Sequence, residues 1–180
     1  MTLDVTIGKL ENKYENLDEE LIEDYGEPAC LNVERTLRIK KCPQADENIC
    51  NPDKTIYPKT SKRSGSSGLW RFWRVLDNEL YEMFREHPGT NDKDYAYLKP
   101  VIERIKNLDE SDFDREKVRE QVIEDKEKDE RLESNLYGID DVDDAIENRI
   151  EGHKSRLKWL KYWSSKAVDL YDEKAAIRFW

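Results

Sequence analysis

The sequence predicts an α+β fold with a helical majority: a small antiparallel or mixed sheet near the N-terminus and a long C-terminal antiparallel helical hairpin. Three observations carry this expectation. Leu3, Val5 and Ile7 alternate with polar residues, the two-residue period of a strand with one buried face. Apolar residues return every three or four positions through 69–84 and again through 142–171, the period of a helix that buries one side. The chain closes on the short apolar run AAIRFW, which suits a strand laid beside the first.

Taken in order, the stretch ENLDEELIEDYGEP predicts a short helix through Leu17, Leu21 and Ile22 that stops at Gly26 and Pro28. Leu31, Val33, Leu37 and Ile39 alternate as a second strand, with a phase slip at Thr36 that marks a bulge or a turn. Residues 42–68 hold three prolines and many Asn, Asp, Ser and Gly, which predicts a long loop. Leu69, Phe72, Trp73, Leu76, Leu80 and Phe84 share one helical face, and His87-Pro88-Gly89 ends that helix. A further helix through Tyr97, Leu98, Val101, Ile102 and Ile105 starts near Pro100, a residue tolerated only in a first turn. The segment from Asp112 to Gly138 reads as a long solvated helix closed by a left-handed cap at Gly138. The last helix carries a heptad-like seam of Val142, Ile146, Ile150, His153, Leu157, Leu160, Trp163 or Ser164, Ala167 and Tyr171. The expected organisation is a core over 1–108, with the loop 43–67 and the helix 69–87, and an acidic hairpin plus strand over 109–180, in one continuous domain.

The chain has 180 residues, 37% hydrophobic and 40% charged, with five Trp, nine Tyr and four Phe. Its mean hydropathy of −0.98 leans towards disorder, but that many aromatic rings supply buriable surface that disordered chains lack. No apolar run approaches the roughly 20 residues of a membrane span, and the N-terminus lacks the basic-then-apolar order of a signal peptide. A soluble, cytoplasmic protein is therefore expected. Cys30, Cys42 and Cys50 are an odd set in that setting and read as free thiols, with a single bridge as the alternative.

The formal charge of −10 is segregated along the chain. Residues 1–34 hold ten acids and two bases, residues 35–74 ten bases and three acids, residues 109–151 eighteen acids and seven bases, and residues 152–180 seven bases and three acids. Three functional expectations follow from this bipolar pattern. The first is a non-enzymatic binding or inhibitory protein that presents Glu124, Asp125, Glu127, Asp129 and Glu130 to a basic protein partner, such as one that handles nucleic acid, the carboxylates imitating a phosphate backbone. Direct nucleic-acid binding by so acidic a chain is not expected. The second is a site, in a binder or an enzyme, for a phosphate-bearing small molecule or nucleotide at the Ser/Gly-rich start of helix 69–87, built from Lys62, Arg63, Ser66, Ser67, Gly68 and Arg71. Ser66 or Ser67 serves equally well as a plain helix cap there. In the third, the basic segment docks on the acidic arm of the same molecule or of a second copy.

Other chemistries lack their residues. Gly65-Ser66-Ser67-Gly68 has no following Lys, so it is no P-loop, and it is one residue short of a nucleophile elbow. The cysteine spacing lacks a zinc knuckle, even with His87 as a fourth ligand. DDVDD at 140–144 puts Val142 and Ala145 where a calcium loop needs an oxygen ligand and a glycine, so its acids read as helix-start residues. His87 suits a helix C-terminus, and His153 sits on the apolar seam as a packed residue. The sequence assigns no catalytic residue, cofactor, metal or membrane contact. The opening MTLDVTIG ahead of an acidic α+β chain is similar in kind to small phage or mobile-element proteins; the resemblance implies an inhibitory role and carries no functional residue with it.

Overall fold

The computed structural model describes residues 5–12, 20–24, 27–32, 37–41, 62–63, 68–86 and 95–179. Among the described residues, seven strands form one sheet: β1 (Val5–Asn12), β2 (Glu20–Asp24), β3 (Glu27–Asn32), β4 (Leu37–Lys41), β5 (Lys62–Arg63), β6 (Tyr95–Tyr97) and β7 (Ala175–Phe179). Among the same residues, five α-helices accompany it: α1 (Gly68–Leu76), α2 (Asn78–Glu86), α3 (Lys99–Asn107), α4 (Arg115–Arg131) and α5 (Val142–Tyr171). The molecule is thus α+β, with more of the described chain in helix than in strand.

The sheet runs in the order β2-β3-β6-β7-β1-β4, with β5 also on β1 and every pairing antiparallel. The C-terminal run is indeed a strand beside the first, Ile177 lying opposite Ile7. Val5, Thr6 and Ile7 are all buried, as are Ala175, Ala176 and Ile177. Because successive side chains point to opposite faces, both faces of the sheet are covered at its centre.

Two expectations about the N-terminal half need correction. The segment around Leu21 and Ile22 is a strand, β2, and not a helix; it pairs with β3, the two separated by Tyr25 and Gly26 alone. A short link containing glycine between two runs is a hairpin signal, which outweighs a helical spacing of only three apolar residues. The pairing shifts between Ile22 and Glu23, where Glu23 faces Pro28, a residue that has no N–H to give to the ladder. The single strand expected over 31–39 is two, β3 and β4, on opposite sides of the sheet. The phase slip at Thr36 therefore falls between strands. Most of the expected loop 42–68 lies outside the described residues.

The apolar face of 69–84 is buried as anticipated, at Phe72, Trp73, Leu76, Leu80 and Phe84, but the helix is interrupted at Asp77. The Asp77 carboxylate accepts the Leu80 N–H at 3.0 Å and so caps α2, since a short acidic side chain competes for free backbone donors. Arg104 of α3 grips the same carboxylate in a fork, Nε to Oδ2 at 2.8 Å and Nη2 to Oδ1 at 2.9 Å. Ring contacts then run from Phe72 to Trp73, Phe84 and Tyr97, with centroids 4.7–4.9 Å apart, linking α1, α2 and β6. Tyr97 itself belongs to strand β6, and α3 begins two residues later with Pro100 in its first turn.

The long helix α5 follows its expected seam: Ile146, Ile150, His153, Leu157, Leu160, Trp163, Ser164 and Ala167 are all buried. Its thirty residues span about 45 Å and pack against α3, α4, β1 and β7. A second, smaller apolar cluster of Val75, Val118, Val122, Ile146 and Ile150 joins α1, α4 and α5. Helix α4 stops at Arg131, before the expected end, and Gly138 adopts φ +60° in the connecting loop instead of capping that helix. Asp114 and Asp141 cap α4 and α5 through the N–H groups of Lys117 and Asp144, so part of the acidic clustering is helix-start chemistry.

Replacing Asp77 by Ala removes a cap and leaves Arg104 without its forked partner, so urea unfolding should show a loss of about 2–3 kcal/mol. An unchanged midpoint would show that the junction of α1 and α2 does not depend on it.

Candidate functional site

Helix α4 carries seven of the eighteen acids of the acidic arm, and its two sides differ. Val118, Gln121, Val122, Asp125 and Asp129 are buried, at steps of three and four that define one face. Glu124, Glu127 and Glu130 are exposed on the rest of the helix. Of the five acids expected to meet a partner, three therefore face outward, whereas Asp125 and Asp129 are committed to the interior. The inward pair was legible in principle, because 125 and 129 continue the spacing set by Val118 and Val122, but their charge argued for solvent.

Asp125 is 1% exposed, and its Oδ2 accepts hydrogen bonds from Nη1 of Arg71 and, at 2.9 Å, from Nη2 of Arg149. One carboxylate thus joins α1, α4 and α5. Burial alone would raise its pKa, but the hydrogen bonds and charges of Arg71 and Arg149 outweigh that and hold it below the usual carboxylate range. The same bond raises the pKa of Arg71. Gln121, one turn earlier on α4, donates its Nε2 to the carbonyl of Arg71 at 3.1 Å.

Asp129 organises the loop that follows α4. Its Oδ1 accepts from the Ser134 hydroxyl at 2.9 Å and the Leu136 N–H at 3.0 Å, and its Oδ2 from the N–H groups of Tyr137 at 2.8 Å and Gly138 at 3.3 Å. Burial pushes this carboxyl up, but those donors, Tyr137 foremost, bring it below its ordinary value. Lys128 reaches the Tyr137 hydroxyl at 3.3 Å and closes the loop from the other side.

The expected anion site is only partly described. Lys62 and Arg63 form β5 opposite Thr6 and Val5, and Gly68 opens α1, whereas Ser66 and Ser67 lie outside the described residues. Arg71, in the first turns of α1, is already bound to Asp125, so an incoming phosphate would have to compete with a buried carboxylate for that guanidinium. Among the described residues, Arg71 of the basic segment and Asp125 of the acidic arm meet within the molecule. Trp70 packs against the core from a half-buried position, and Arg74 is exposed. Cys30 lies in β3 with its side chain outside the description; Cys42, Cys50 and His87 are outside it altogether.

Two further features lie outside this cluster. An open groove of about 770 Å³ runs along α5 beside Asp109 and Glu110, and two of its three lysines are engaged: Lys158 pairs with Glu110 at 3.3 Å and Lys161 donates to the Leu108 carbonyl, while Lys166 lines it as well. His153 is buried, stacked on Phe113 at 5.8 Å and edge-on to Phe72. Burial, with the charges of Arg156 and Arg149, lowers its pKa to about 3, which keeps the imidazole neutral at physiological pH. Among the described residues, no group of three His, Cys, Asp or Glu side chains is placed to hold a metal ion, and no helix is long and apolar enough to cross a membrane. Comparison with protein families, with curated proteins and with solved structures found no match.

His153 gives the fold a defined pH dependence. Between its folded value near 3 and its ordinary 6.5, the unfolded chain binds a proton at this ring that the folded chain does not, so stability rises with pH across that window and levels off above it. Between pH 5 and pH 7 the gain from this group is about 2 kcal/mol. Urea unfolding at the two pH values should show most of that difference vanish in His153→Gln; an undiminished slope would place its origin elsewhere.

Proposed function

We propose that the protein acts by binding, and not by catalysis, with the outward side of α4 and the start of α5 meeting a basic surface on another protein, whose activity it blocks. The observation that carries this reading is the division of α4. Its buried acids, Asp125 and Asp129, satisfy interior donors, whereas Glu127 and Glu130 are exposed and have no ion-pair partner among the described residues. Glu124 stands with them on the exposed side, near enough to Arg71 to raise its pKa.

Further acids extend the same field. Asp140, Asp141, Asp143 and Asp144 are exposed at the start of α5, immediately after the loop that leaves α4. The exposed acids gather on the second half of α4 and the start of α5, because on the first half Arg115 and Arg119 are exposed beside Glu116 and Glu120. An acidic field of this extent speeds encounter with a basic partner and loses strength in salt. Inhibition follows where the partner's basic surface is the one it uses for its own polyanionic substrate.

The test is affinity capture from the native cell with the wild type and with a Glu124→Lys, Glu127→Lys, Glu130→Lys variant. These positions are exposed, so thermal stability should stay within a few degrees. Basic proteins captured by the wild type should be absent with the variant, and identical capture by the two would contradict the reading.

A further inference from the structure

Leu132 and Leu136 stand in the loop between α4 and α5 with 56% and 71% of their surface exposed, and the intervening backbone turns back on itself. Exposed leucines singly are ordinary. These two are unusual in how firmly the structure keeps them outside. The buried Asp129 carboxylate takes four donors from residues 134–138, one of them the N–H of Leu136 itself. Glu133, between the leucines, adopts φ +47°, a backbone region costly for a side chain of its kind, and Gly138 turns at φ +60°. The loop is therefore ordered around a polar centre, and Leu132 and Leu136 do not fill the core, whereas Ile139 of the same loop packs against the small apolar cluster.

Around the leucines the exposed charge is mostly negative. Glu127, Glu130 and Glu133 precede or separate them, and Asp140, Asp141 and Asp143 follow, with Arg131 as an opposing exposed base. Exposed apolar side chains within a charged rim match the anatomy of a protein interface, in which the desolvated centre supplies most of the affinity and the charged rim supplies rate and selectivity.

We infer that Leu132 and Leu136 are the anchor of the acidic interface, and that they insert into an apolar recess flanked by lysine or arginine on the partner protein. The inference rests on the binding function proposed above and adds where on the partner it must fit. Charge decides the occupant. A second copy of this chain would bring the same acids against this rim, which disfavours self-association through the loop, whereas a basic surface is attracted to it.

Two peptides of equal length and equal lysine content, one with leucines between the lysines and the other with serines, separate anchor from rim by calorimetric titration. The wild type should bind the leucine peptide about tenfold or more tightly than the serine peptide. The variant carrying Leu132→Ser and Leu136→Ser should bind both alike, at the serine-peptide affinity of the wild type and with unchanged thermal stability. Equal affinities in the wild type, or a preference that survives in the variant, overturn the anchor; loss of serine-peptide binding on charge reversal at Glu127 and Glu130 would then still uphold the acidic face. Sedimentation closes the alternative: a wild-type dimer that the leucine substitutions dissolve would assign the loop to a second copy and overturn the basic partner.

Discussion

A carboxylate buried between two guanidinium groups sets the relation of three helices. Asp125 alone among the α4 acids meets Arg71 of α1 and Arg149 of α5, and it does so with almost no access to solvent. Such a cluster adds little net stability over an apolar one, because desolvating the charges offsets most of their attraction. Its effect is on geometry. Any sliding or rotation of α4 that parted Asp125 from its partners would leave a buried charge unpaired, at a cost of several kcal/mol, so α4 is held to one rotation about its own axis.

That constraint sorts the seven acids of a helix that also carries six bases into an inside and an outside. The small cluster of Val75, Val118, Val122, Ile146 and Ile150 glues the three helices but would tolerate modest rotation. The ion pairs remove that freedom. With Asp125 fixed inward, helical geometry turns 129 inward one turn later and leaves 124, 127 and 130 to solvent. Asp129, once inside, gathers the N–H groups of the following loop and presents Leu132 and Leu136 beyond the end of the helix. The outward carboxylates and the exposed leucines are thus both consequences of where α4 is pinned.

The parts of the fold visible in the sequence are those with long, regular apolar spacing. The seam of α5 reads out from Ile146 to Ala167, and the face of 69–84 is correct even though Asp77 breaks the helix, because the interruption preserves the hydrogen bond from Tyr81 to Asp77 and so the phase. Short segments misled where two periods agree: Leu21 and Ile22 fit a helix and a strand equally, and only the Tyr25-Gly26 link separates the cases. The candidate site was harder to see for a different reason. Hydrophobic periodicity is blind to a buried charge, so Asp125 and Asp129 looked like their solvated neighbours, and the complementary arginine lies fifty-four residues away at Arg71. Pairing at that separation is a property of tertiary structure and leaves no local mark.

The most direct measurement is a double-mutant cycle on the pair that fixes α4, with Arg71→Met, Asp125→Leu and the combination compared by denaturant unfolding. If this buried bond holds the helix, each single change costs about 2–5 kcal/mol by taking a partner from the buried carboxylate or the carboxylate from its two arginines, and the combination costs less than the two added together by at least about 1.5 kcal/mol. Strict additivity, with a coupling below about 0.5 kcal/mol, would mean that α4 is placed by something else and that the division of its acids into two sides has no such cause.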